Sequence, residues 1–216
     1  MPLPESLLFQ VRSVVSGFVS RGFAGNLLAM AIIDVAGFIA DLKNHAADHG
    51  FHIHDERHFV ETYSMRQTFE VDLHPEEACG GPLEFHLAAH VEPRVILAFE
   101  DALLDVDEGE KPEELFNLPI SFTWSLPPLP NSPDLLLLAT ELAGLGGMDL
   151  PVEVSAMDSY VNVTDPSIRS LTVVARIVVS MWDIYTGEEV LCDVLERCLD
   201  VSRYLLSAAP AWIGES

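Results

Sequence analysis

A chain of 216 residues, 49% apolar and 21% charged, has room for one well-buried core and the composition of a folded protein rather than a disordered one. Its 34 acidic residues face 11 basic ones, and the formal net charge of −23 repels phosphate backbones and anionic lipid surfaces. Nucleic acid and membranes are therefore disfavoured as partners, whereas basic proteins, self-association and bound cations stay compatible with the charge.

The pattern begins with two helices in residues 1–50. In 5–20, Leu7, Leu8, Val11, Val14, Val15, Phe18 and Val19 make a helical apolar stripe. Asn26 can cap a second helix over 27–39, apolar on nearly every side except Asp34, which runs on through a polar end to Gly50 as its C′ residue. A first set of strands occupies 58–126. Residues 63–73 alternate between odd positions that are apolar except for Gln67 and polar even ones, and 83–91 repeat the alternation after Cys79-Gly-Gly-Pro82, which predicts an antiparallel hairpin. Residues 94–99 read as a third strand, with a helix starting at Pro93 as the alternative, and Ile120, Phe122, Trp124 and Leu126 mark a fourth.

After the stiff Pro127-Pro-Leu-Pro130 connection, a helix is expected within 132–147, ended by Gly144, Gly146 and Gly147. The span 151–208 reads as a second hairpin around Asp165-Pro-Ser167, then an amphipathic C-terminal helix opened by a Thr186-Gly-Glu-Glu189 capping box. Hairpins outnumber helix-linked crossovers. The expected fold is a single α+β domain over 1–216: a mainly antiparallel sheet of about five or six strands, packed with an N-terminal helical pair, a middle helix and a C-terminal helix.

Three groups of residues could carry chemistry. All eight histidines lie between positions 45 and 90, and His45, His49, His52, His54 and His58 form a candidate transition-metal set: the first two are one helical turn apart, and the next two share one face of an extended segment. Their spacing matches no established ligand motif. On the polar face of the first hairpin, a turn centred near Ala78 would set Arg66 opposite His90 and Glu70 opposite His86, an acid–base pairing or a solvated cross-strand one. The third group is acidic: Glu100, Asp101, Asp105, Asp107, Glu108, Glu110, Glu113 and Glu114, opposed only by Lys111. A surface of that sign steers a basic partner toward it. No GxSxG, Walker A or other framed catalytic motif is present.

The order of elements resembles that of the small acidic α+β chaperones serving bacterial secretion systems, a similarity of order that no motif carries. The reading from sequence is a non-catalytic binding or accessory protein that engages a protein partner, or another copy of itself, through its acidic surface and sheet face. A metal-dependent enzyme or metal sensor built on the histidines is the alternative, and a small-ligand-binding domain is the third. The three cysteines, Cys79, Cys192 and Cys198, include no CxxC and read as reduced thiols of a cytoplasmic protein.

Overall fold

Asp34 is where the first helix among the described residues starts, not a polar interruption within it. Its carboxylate accepts a hydrogen bond from the Gly37 amide at 2.7 Å and caps α1, Val35–Asp48. Val35, Phe38, Ile39, Leu42 and Ala46 fall on one stripe of α1 and are buried. Gly50, at φ +85°, then turns the chain, as expected of a C′ residue. The computed structural model describes residues 33–107, 109–160, 162, 164, 167–188 and 191–214, all within one compact unit running from Ala31 to Ser216. The helix expected over 5–20, the Asn26 cap and the start of the second helix lie outside the described residues.

The sheet begins earlier than the sequence pattern suggests. Directly after Gly50 comes β1, Phe51–Val60, followed by β2, Gln67–Pro75, and β3, Glu84–Val91. Residues 63–66, expected to open a strand, form the turn between β1 and β2: Met65 has φ 58° and Tyr63 is 98% exposed. The third strand expected at 94–99 is instead part of a helix, α2, Pro93–Leu104. Pro93 at its first turn has no N–H to lose there, and its fixed φ suits the start of a helix.

The remaining elements are β4, Asn117–Ser125; α3, Leu135–Gly146; β5, Val152–Ser159; β6, Ile168–Ser180; α4, Met181–Thr186; and α5, Cys192–Ile213. Thr186 does not open the C-terminal helix, as the expected capping box would have it. Thr186 closes α4 and its hydroxyl donates back to the Trp182 carbonyl at 3.0 Å, while α5 starts only at Cys192.

The six strands among the described residues pair antiparallel in one open sheet, in the order β1-β2-β3-β4-β6-β5, so the fold is α+β, with β1 and β5 at the edges of the described sheet. One face carries the core: Val71, Phe85, Ile120, Phe122, Trp124, Val173 and Ala175 are all almost completely buried. α1 lies against β1, α3 against β5, and α5 crosses between them with Leu195, Cys198, Val201 and Leu205 buried. Burying each such leucine contributes about 1.5–3 kcal/mol, which is why the amphipathic stripe decides where α5 docks. Among the described residues, no helix is long and apolar enough to cross a membrane.

A candidate metal centre at the edge of the sheet

The opposite face of β1, β2 and β3 is polar, and its layout is set by one extra residue in β1. Ile53 pairs with Leu73 and Asp55 with Asp72, so His54 is a β-bulge between them. Before the bulge, the even-numbered His52 lies on the polar face, opposite His74. After it, the odd-numbered Asp55 and Arg57 take that face, opposite Asp72 and Glu70. His58 is thereby moved to the other side, where its ring stacks on Phe69 with centroids 4.1 Å apart and bonds Gln67 at 2.9 Å.

Of the histidines singled out by sequence, the structure brings His52 and His54 together with His74, to which the sequence pattern assigns no role. One ring nitrogen from each lies within 4.8 Å of those of the other two. The ring centroids of His54 and His74 are 4.2 Å apart, and the Nε2 atoms of those two rings meet directly. His52 and His54 are exposed, but His74 is only 7% exposed and its Nδ1 has no hydrogen-bond partner among the described residues. An unpaired buried ring nitrogen costs about 1–3 kcal/mol, and no side chain or backbone group among the described residues offsets it. His45 and His49 sit at the end of α1 and do not join the group.

Beside the three rings opens a cavity of about 580 Å³, lined by His54, Arg57, Asp72, His74, Glu84 and His86 among others. The expected hairpin pairing is shifted by two residues. His86 faces Asp72 rather than Glu70, and His90 faces Thr68 rather than Arg66. The cause is the connection: β2 runs on to Pro75 and a 3₁₀ turn, Glu76–Ala78, follows it, so the hairpin is centred one residue later than Ala78. Arg66 instead pairs with Glu92, and His90 Nδ1 lies 3.3 Å from Thr68 Oγ1.

Asp72 is the hub of this polar face. It holds His86 Nδ1 at 2.7 Å and Arg57 Nη1 at 2.7 Å, and the same guanidinium reaches Asp55 at 2.6 Å and Glu70 at 3.3 Å. Burial works to raise the Asp72 carboxyl, but hydrogen bonds from Arg57 and His86 outweigh it and hold the group below the ordinary carboxylate range. Asp72 and then Glu70 hold the Arg57 guanidinium protonated, above its usual value. With three carboxylates already on it, Arg57 has little capacity left for an anionic ligand, and the cavity favours neutral or cationic species.

The acidic segment lies elsewhere. Glu100 and Asp101 are on α2, and Asp105, Asp107, Glu110, Glu113 and Glu114 follow in the connection to β4, at the end of the sheet away from His52 and His74. Glu108 lies outside the described residues. Lys111, the cation within that stretch, is 3.8 Å from Asp183.

The three imidazoles provide a nitrogen-rich set of the kind that suits zinc, copper or nickel. Zinc–nitrogen bonds of about 2.0–2.1 Å place two tetrahedral ligands roughly 3.3 Å apart, a spacing that small side-chain rotations on β1 would reach. Asp72, Arg57 and Cys79 also belong to this region, and the sequence pattern singles out none of them. For Arg57 the signal is the strand face on which it falls, which the bulge at His54 conceals; Asp72 lies on the polar face that the β2 alternation predicts, and Cys79 is brought in by the turn after β2. Comparison with protein-family models, with curated proteins and with solved structures found no match to this chain, so its residues and their geometry carry the functional argument.

Proposed function

We propose that this protein binds a divalent transition-metal ion, zinc foremost, through His52, His54 and His74. The observation that carries the reading is the convergence of three imidazoles around a ring, His74, that is buried with its Nδ1 unpartnered among the described residues. Metal binding gives such a histidine a defined tautomer and a strong partner. Two of the three rings are exposed on an edge strand, so an ion can enter and leave without unfolding. That access suits a sensor or carrier of metal better than a buried structural site.

An enzymatic reading uses the same three ligands. It needs a fourth coordination position open to the cavity, where His86, held through Nδ1 by Asp72, would serve as proton acceptor.

The test is metal analysis and calorimetric titration on the whole chain, purified without a histidine tag. One zinc per chain is expected, with a rise in melting temperature as zinc is added; at 100 times Kd the stabilisation is about 2.7 kcal/mol. His52→Ala and His54→Gln alter exposed side chains and should each remove most of the affinity while leaving the circular dichroism spectrum unchanged. Affinity should also fall on acidification, because protons and the metal compete for the same ligand atoms. No stoichiometric zinc and no thermal gain would overturn the proposal.

A further inference from the structure

Resting on that reading, we infer that Cys79 is the fourth ligand, so that the centre is a three-histidine, one-thiolate site closed to substrate. Sγ of Cys79 lies 3.6 Å from Nδ1 of His52. Zinc–sulfur and zinc–nitrogen bonds of about 2.3 and 2.0–2.1 Å at a tetrahedral angle separate the two ligand atoms by roughly 3.5 Å, so the pair already has the spacing of one edge of a zinc tetrahedron.

The connection that presents Cys79 is built for that position. Leaving β2 at Pro75, the chain makes the 3₁₀ turn, with the Glu76 amide donating to the Gly50 carbonyl at 3.1 Å, which ties the turn to the start of β1. Arg203 of α5 holds Glu77 at 2.6 Å. Beyond the cysteine, Gly80 has φ +74°, and a Cβ on Gly81 would stand 3.0 Å from the Ala78 carbonyl oxygen, so both positions favour glycine. The turn folds Cys79 back over His52 instead of letting it extend away from the sheet. The buried His74, whose Nδ1 has no hydrogen-bond partner among the described residues, belongs to the same histidine group as His52 and is the sign of a ligand there.

A thiol donating a weak hydrogen bond to His52 would share this geometry without any metal, and coordination differs from it chemically. On binding, the S–H proton passes to solvent as the sulfur–metal bond forms, so one further proton is released for each ion bound. A thiolate ligand also favours zinc over magnesium or calcium, whose preferred partners are oxygen.

Cobalt(II) titration of the full chain separates the outcomes. The inference expects a thiolate-to-cobalt charge-transfer band in the near ultraviolet, together with the strong visible bands of tetrahedral cobalt. Cys79→Ser should abolish the charge-transfer band and release one proton fewer per ion. It should also weaken zinc binding at least 10-fold, roughly the smallest loss seen even for a group one bond removed from the metal. Cys192→Ser, on α5, should leave all three readouts unchanged. Cobalt bound without the charge-transfer band, or Cys79→Ser binding zinc like the unmodified chain, overturns the inference but leaves the three-histidine site standing with its fourth position open to the cavity. Failure to bind cobalt or zinc at all removes both.

Discussion

Ser202 shows how much one buried polar atom can decide. Its hydroxyl accepts the indole N–H of Trp124 at 2.8 Å and donates to the Cys198 carbonyl at 2.7 Å, so α5 and β4 are joined by a hydrogen bond inside the core. Ser202→Ala leaves the Trp124 N–H buried without a partner and should cost about 1–3 kcal/mol in urea unfolding. A midpoint equal to that of the unmodified chain would show that the indole finds another acceptor. His74 carries the same kind of liability at Nδ1, with no partner like Ser202 among the described residues to relieve it. The sequence displays all eight histidines, but which three share a site depends on strand pairing, because His52 and His74 are 22 positions apart and meet only as cross-strand neighbours.

Among the elements, those that follow a single period are legible in the sequence and those interrupted by a special residue are not. The strand β3 alternates cleanly and lies where the alternation puts it. The helix α3 ends at Gly147, whose φ is +62°, as its glycines suggest. Its start is set by Asp134, whose carboxylate accepts from the amides of Leu136 and Leu137 at 2.9 and 3.0 Å. Asp134→Ala should therefore destabilise the protein by about 1 kcal/mol, as loss of an N-cap usually does, and thermal unfolding followed by circular dichroism would read the change. An unchanged melting temperature would mean that solvent satisfies those amides equally well.

The strand β1 is hidden because its alternation reverses at the His54 bulge: Phe51 and Ile53 face the helices, whereas after the bulge Asp55 and Arg57 face away from them. A continuous period-two pattern is therefore absent from a strand of ten residues. The helix α2 poses the opposite problem, since a short apolar run after Pro93 satisfies strand and helix periods alike.

Across the whole molecule, charge matters most. A net charge of −23 opposes compaction, and added salt screens that repulsion over the Debye length. At neutral pH the melting temperature should rise as sodium chloride goes from about 20 mM to about 300 mM; a fall would mean that attractive pairs outweigh the net repulsion.

Acid acts with the opposite sign. Asp72 is held below the usual carboxylate range as described above, Glu77 by its hydrogen bond from Arg203, and Asp158 by its hydrogen bond from Arg169. A carboxyl whose folded value is depressed contributes stability above its unfolded value, about pH 4, and that contribution is lost as pH falls through the folded value. Calorimetric scans should therefore show the melting temperature dropping below about pH 4, and Arg57→Ala should make Asp72 titrate closer to an ordinary aspartate, as carboxyl-selective NMR would show.

By itself the sequence determined the fold class, the acidic character and the placement of β3 and α3, because each follows from composition or from local period. It also confined every histidine to one region of the chain. Only the tertiary structure decided that His52, His54 and His74 meet, that Cys79 folds back toward His52, and that Asp72 rather than Glu70 holds His86. Those facts depend on register, and a single extra residue in β1 together with a hairpin centred one position later changes which side chains share a face.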